Sequence, residues 1–151
     1  MKLNRRHTTL RKDFRALPEP ESLELLEGAL TAEYVGPAPV RLGGPAFMTL
    51  MGFRGWKGKR FARDGDLLKG MNSFGDGDVP SDRIPMEATI APSVTDGRRA
   101  LVVTYPAGIR RPWRSARDEF REMEDGRLLG TTVFELPLVR HLPLAFVLAR
   151  D

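Results

Sequence analysis

Three extended segments follow one another in the second half of the chain: Leu101-Val102-Val103-Thr104-Tyr105, then Ser115 to Met123, then Leu128 to Phe134. The last two are joined across Glu124-Asp125-Gly126, where Asp-Gly supplies the residue with φ > 0 that a tight hairpin needs. The pattern predicts a strand meander. Upstream, Met86, Ala88 and Ile90 alternate with Glu87, Thr89 and Ala91 as a half-buried strand does, and Asp96-Gly97 turns that strand into Leu101–Tyr105. Gly55-Trp56-Lys57-Gly58-Lys59-Arg60-Phe61 reads as a strand, Asp64-Gly65-Asp66 as a turn, and Leu67 to Phe74 as the hairpin partner. Leu144, Phe146 and Leu148 alternate in a closing strand.

The first part of the chain reads differently. Leu3, Leu10, Phe14 and Leu17 recur at helical spacing, and Pro18 and Pro20 end the helix because proline cannot continue the hydrogen-bond ladder. Leu23 to Val35 reads as a helical turn running into a first strand near Ala29 to Val35, which Gly36-Pro37-Ala38-Pro39 breaks. Val40 to Phe53 is apolar and glycine-rich, and fits either a short helix or an irregular plug. The expected organisation is a basic amphipathic segment over residues 1–20 and one β domain over residues 21–151. With no helix between the later strands an α/β fold is excluded, and about eight antiparallel strands are most economically closed into an all-β barrel. Closure removes exposed edges, and the interior of such a barrel takes side chains or one small ligand.

Composition adjusts this picture in three places. At 151 residues the chain fits a single domain. It has no cysteine, so neither a disulfide framework nor a thiolate site exists. No run approaches the roughly 20 apolar residues of a membrane span, and residues 1–15 lack the apolar core of a signal peptide, so a cytoplasmic location is expected. The net charge of +4 is local: Lys2, Arg5, Arg6, Arg11, Lys12 and Arg15 stand against Asp13, leaving 18 basic and 19 acidic residues elsewhere. The segment reads as a helix with a solvated basic face, against a basic arm that contacts phosphates or anionic lipid; specific nucleic-acid recognition is not expected.

A family resemblance rests on particular runs. Gly55-Trp56-Lys57-Gly58-Lys59-Arg60-Phe61, Asp118-Glu119-Phe120-Arg121-Glu122-Met123, Leu128-Leu129-Gly130 and Phe146-Val147-Leu148-Ala149-Arg150-Asp151 look like the GXWXG-type family of uncharacterised proteins and their companion carboxy-terminal domain, in order and spacing, from Leu23 onward. Where the naming motif would stand, Gly28-Ala29-Leu30-Thr31-Ala32 keeps the first glycine and has Leu30 and Ala32 for the tryptophan and second glycine. The resemblance implies a calycin-like barrel, with Leu30 where a lipocalin-like barrel carries the aromatic that plugs its closed end. It brings no reaction with it.

Candidate chemistry centres on residues 115–123, where Ala116, Asp118 and Phe120 share one face and Arg117, Glu119 and Arg121 the other. If the Phe120 face is internal, Asp118 needs a partner such as Arg60 or Arg150, because an unpaired buried carboxylate is costly. If the other face is internal, Arg117 and Arg121 line the cavity and favour an anionic head group. A third reading leaves these charges as ion pairs on the wet outer wall. Trp56, Tyr105 and Trp113 could flank an apolar ligand while bonding its polar end, and Asn72, on the face of Phe74, could add a polar contact.

The expected function is a lipocalin-like protein holding a small hydrophobic or amphipathic ligand in a cavity of several hundred Å³. The alternative is an enzyme using Asp118 or Glu119 as acid or base beside an arginine. Exposed strands also allow a homodimer, and no residue pattern identifies a cofactor. No metal site is expected: Asp76, Asp78, Asp82 and Glu87 fit a calcium register, but Ser81 replaces its glycine. His7 and His141 are the only histidines, and haem ligation by His141 would rest on that residue alone. Phosphate-loop, dinucleotide and nucleophile-elbow motifs are missing.

Overall fold

Alternation of apolar and polar positions resolves into eight strands, each antiparallel to the next: β1 Gly28–Tyr34, β2 Trp56–Asp64, β3 Leu67–Phe74, β4 Ser81–Pro92, β5 Arg99–Thr104, β6 Ala116–Glu122, β7 Leu128–Phe134 and β8 Leu144–Arg150. β8 returns to β1, with Leu30 opposite Arg150 and Tyr34 opposite Phe146, and the sheet closes. The fold is therefore an all-β, calycin-like up-and-down barrel with a short amino-terminal helix, as the turn spacing predicts. This computed structural model describes residues 7–75, 81–135 and 144–150. The first six residues, the loop with Asp76 and Asp78, and the segment with His141 lie outside that range.

Inside, the period-2 alternation brings Leu30, Phe61, Leu68, Met86, Ala88, Leu101, Val103, Phe120, Leu128, Phe146 and Leu148 into one core. Two glycines make room for rings on the strand beside them. Gly70 faces Phe61 and Gly130 faces Phe120, and a methyl group added at either glycine would lie 2.4 Å from the ring. At the end where β1 begins, a 3-10 turn at Leu23–Leu26 buries Leu23 and Leu26 in the core; the Ser22 hydroxyl caps it by accepting from the Glu24 N–H at 3.1 Å. Closure of that end is thus shared by Leu23, Leu26 and Leu30 rather than left to one aromatic.

Two helices complete the fold. α1, His7–Ala16, lays Leu10 and Phe14 on the outer wall against Val35, Val102, Leu129 and Val147, leaving Lys12 and Arg15 exposed. α2, Ala38–Leu50, settles the segment after β1 as a helix. Pro37 and Pro39 start it, since proline in a first turn loses no helical bond, but Gly43, Gly44 and Pro45 sit in its interior. Such a helix is weak by itself: glycine costs about 1 kcal/mol and interior proline about 3 kcal/mol relative to alanine. Packing holds it, with Met48 buried in the core and Gly44 so close that an added methyl would lie 2.9 Å from the Tyr34 ring.

The outer wall settles the faces of β6. Arg121 is fully buried there, under α1. Its guanidinium grips both Asp96 oxygens at 2.7 and 2.8 Å, donates to the Phe14 carbonyl at 3.1 Å and the Arg99 carbonyl at 3.2 Å, and lies 4.6 Å from the Phe14 ring. One cation thus satisfies a carbonyl at the end of α1, holds the β4–β5 turn and covers an aromatic. Glu119, also fully buried on this wall, accepts from Ser93 at 2.5 Å, the Val94 N–H at 2.7 Å, Thr95 at 3.1 Å and Arg117 at 3.0 Å.

The guanidinium of Arg121 holds the Asp96 carboxyl below the usual carboxylate range. That stabilisation is complete above the unfolded value, about pH 3.9, and is lost as the pH falls through the depressed folded value. Asp96→Asn is expected to cost on the order of 3 kcal/mol in urea unfolding at neutral pH and to flatten the acid limb of the stability curve. A loss equally large on both sides of that limb would refute the assignment.

Candidate functional site

β6 presents Ala116, Asp118 and Phe120 inward, so Asp118 enters the barrel and needs a cation there. The cation is Lys59 of β2, whose ammonium lies 2.8 Å from Asp118 Oδ2, with side-chain exposures of 1% and 3%. A register irregularity between Trp56 and Gly58 lets Trp56, Lys59 and Phe61 all contribute to the interior of one strand. Gly58 tolerates it because it has no side chain; a methyl group there would lie 1.9 Å from the Leu30 carbonyl oxygen.

Around this pair every polar group is answered. Lys59 donates to the Tyr105 hydroxyl at 2.8 Å and to Asn72 Oδ1 at 3.1 Å, and its third neighbour is the Met86 sulfur at 3.6 Å. Tyr105 donates to Asp118 Oδ2 at 3.0 Å, and Thr132 donates to Asp118 Oδ1 at 2.6 Å. Trp56 Nε1 donates to Asn72 Oδ1 at 3.0 Å, and Asn72 in turn donates to the Ile84 carbonyl at 3.2 Å. Ile84 stands at φ +63° beside a register shift between β3 and β4. A β-branched residue there carries strain of about 1–3 kcal/mol, and the distortion aims its carbonyl at Asn72.

Above the polar cluster the barrel is aromatic. Trp56 meets Phe146 edge-on at 5.3 Å and Tyr34 at 5.9 Å, while Trp113 packs 4.0 Å from Phe53 and 5.8 Å from Phe134. Trp113 Nε1 donates to the Met51 carbonyl at 2.7 Å, which ties the β5–β6 connection to the end of α2. Met48 and Phe53, from α2 and the turn after it, complete the roof. The space left among these side chains is about 20 Å³, room for roughly one water. The expected cavity of several hundred Å³ is not there, because the rings and the roof of α2 fill it. A larger groove, about 380 Å³, lies elsewhere, beside Arg60, Met71, Asp82 and Glu87, and is open to solvent.

Of the residues singled out from the sequence, Trp56, Asn72, Tyr105, Trp113 and Asp118 come together around this interior space. The three arginines do not. Arg60 is exposed and lies 3.4 Å from Asp82; Arg117 bonds Glu119 and the Pro92 carbonyl; Arg121 belongs to the α1 latch. Arg150 caps the closed end by donating to the Glu24 carbonyl at 2.5 Å, so neither it nor Arg60 partners Asp118. Glu119 is likewise outside, so a carboxylate–arginine pair in the cavity does not form. Lys59 and Thr132 were missed: Lys59 lies inside the run 55–61 and betrays itself only through the irregularity that turns it inward. His141 lies outside the described residues, as does the side chain of His7.

No family model, no curated protein and no solved structure matches this chain. What the fold and the site define is a class: a closed calycin-like barrel with a buried ion pair beneath a helical lid. Among the described residues no helix is long and apolar enough to cross a membrane.

Both tyrosines border the cluster. Burial pushes the Tyr34 hydroxyl up to about 12. Burial, then the charge and hydrogen bond of Asp118, push Tyr105 well above the usual phenol value, with Asn72 alone opposing. Both favour the neutral phenol, so their contribution is intact below about pH 10 and is lost as the pH rises through the folded values. Ultraviolet titration of the folded protein should show no tyrosinate step near pH 10, and the step should appear in urea; a folded-state step there would contradict this environment.

Removing one partner of the ion pair leaves the other buried and uncompensated. Lys59→Met and Asp118→Leu should each cost about 3–5 kcal/mol in urea unfolding, and the double variant should recover most of that loss. A double variant no more stable than either single would mean that the two charges do not act as one unit.

Proposed function

We propose that the protein is a lidded binding barrel, lipocalin-like in use, for a small hydrophobic or amphipathic ligand whose polar head meets the Lys59–Asp118–Tyr105 cluster. The observation that carries this reading is the ion pair itself. Two charges taken out of water stabilise a core less than well-packed aliphatic side chains of the same volume commonly would. Here they are kept and bonded on every side, and a strained carbonyl is spent on orienting Asn72 next to them. An ammonium beside a carboxylate carries no net charge, so a carbonyl, hydroxyl or zwitterionic head that replaces one of their present partners suits the pair better than a bare anion.

The closed interior has room for about one water, so the ligand's apolar body takes the place of the roof. α2 is suited to yield because Gly43, Gly44 and Pro45 weaken it where Met48 enters the core.

The chain has two tryptophans, and both line this space, so intrinsic fluorescence reports on it directly. Titration with octanol and with octanoate should give a saturable change in emission, stronger for the alcohol, and Lys59→Met/Asp118→Leu should abolish that preference while keeping the fold by circular dichroism. Native mass spectrometry of protein purified from its own host should show a retained small molecule. A wild-type emission unmoved by either probe, together with an empty protein, would end this reading.

A further inference from the structure

The two most exposed large hydrophobic residues among those described are Leu42 and Leu50, at 80% and 83%, and both belong to α2. They are eight residues apart, with exposed Ala46 midway, so one stripe of the helix faces outward and is wholly apolar. Pro39 and Pro45 are exposed beside it. Thr49 adds little polarity, because its hydroxyl is engaged on the Pro45 carbonyl at 2.8 Å. The single charged residue of the helix is Arg41. Lone surface leucines mean nothing, but a lid helix of this composition, with its other face already packed on the core, has two apolar sides and water on one of them.

The charge on the helix's own connection and on the neighbouring one is of one sign. α2 and its flanks, residues 35–55, contain Arg41 and Arg54 and no carboxylate; the neighbouring connection, residues 105–115, contains Arg110, Arg111 and Arg114 and no carboxylate. All five arginines are exposed. The two connections are joined through the Trp113 bond to Met51 and the contact of Trp113 with Phe53, so these arginines and the leucine stripe belong to one end of the barrel. Glu135, whose N–H bonds the Ser115 carbonyl, brings a carboxylate to the same end. The opposite end mixes both signs: Asp66, Asp96, Glu124 and Asp125 in its hairpin turns and Glu24 and Glu27 at the 3-10 turn stand beside Arg63, Arg98, Arg99, Arg127 and Arg150. What sets the first end apart is that the apolar helix and five exposed arginines share it.

We propose that this end docks on an anionic lipid bilayer, with Leu42, Ala46 and Leu50 entering the boundary between headgroups and acyl chains and the arginines meeting lipid phosphates and carboxylates. Apolar residues on a helix lying in the surface plane, ringed by cations, are what an anionic interface retains. The same contact pulls on the roof of the barrel, so docking and opening are coupled. The docking surface stands apart from the binding reading above, because vesicle binding is measured on the protein with no ligand added.

The test is flotation of the full chain with vesicles of phosphatidylcholine alone and of phosphatidylcholine with phosphatidylserine, at low and high salt. The protein should float with the phosphatidylserine vesicles, release at high salt, and stay behind with phosphatidylcholine alone. Leu42→Asp/Leu50→Asp should lower the bound fraction by at least about tenfold with an unchanged dichroism spectrum and melting temperature. Arg110→Glu/Arg111→Glu should lower it and weaken the salt dependence. Lys2→Glu/Arg5→Glu/Arg6→Glu should leave it unchanged.

Equal flotation with both vesicle types, flotation with neither, or loss on changing only the amino-terminal basic residues would overturn the proposal. So would a wild-type dimer in sedimentation equilibrium that Leu42→Asp/Leu50→Asp converts to monomer, because the stripe would then be covered by a second copy.

Discussion

The pairing of β1 with β8 makes the inside of this molecule different from its outside, and nearly everything else follows from that closure. In an open sheet the two faces of β6 would be alternative surfaces, and Asp118 and Glu119 would be neighbours with similar prospects. Once the ring is closed, a step of one residue carries a carboxylate from the outer wall into the interior. Glu119 is then answered by the β4–β5 turn and Arg117, while Asp118, bonded by Thr132 and Tyr105 from the neighbouring strands, has its charge met from across the barrel. Lys59 is the group that reaches it.

That cross-barrel contact constrains its surroundings in turn. Lys59 faces inward because β2 is irregular beside it, and Gly58 is the residue that tolerates the close passage of β1. Asn72 must turn one end to the ammonium and the other to a carbonyl, and the strained backbone at Ile84 supplies that carbonyl. A network bonded at each of these groups rigidifies the lower floor of the site, whereas one left half-bonded would be worse than an apolar core. The outer wall repeats the device with different charges: Arg121, Asp96 and the end of α1 form a separate buried latch. The first cluster lies in the interior beneath the roof and the second secures the exterior.

Much of the fold was legible because its signals are local. The Asp-Gly turns at Asp96-Gly97 and Asp125-Gly126, the period-2 runs, and the prolines that end α1 each act over a few residues. Pairs such as Gly130 with Phe120 leave a trace as a glycine in an otherwise apolar strand. The site was less legible because its deciding facts are not local. Which face of β6 is internal depends on closure, and the partner of Asp118 lies far away in sequence. A lysine in a run of alternating charge looks solvated until the irregularity beside Trp56 turns it inward. The arginines looked like better partners because guanidinium groups suit carboxylates, yet Arg60 sits one residue beyond Lys59 on the opposite face.

The roof is what reconciles a barrel with almost no free interior with the binding proposed for it. Its residual space is a property of the closed state, and the element that closes it is the least self-sufficient one in the fold. α2 owes its order to Met48, the close approach of Gly44 to Tyr34, and the tie between Met51 and Trp113. Losing those contacts exposes one helical segment while leaving the strand ladder intact, so opening costs less than global unfolding. The floor behaves oppositely, since displacing Lys59 or Asp118 would strand a charge in a low-dielectric interior. The contacts that cost least to break therefore lie at the arginine-bearing end of the barrel, where the exposed leucines also are, and those that cost most lie in the polar cluster beneath.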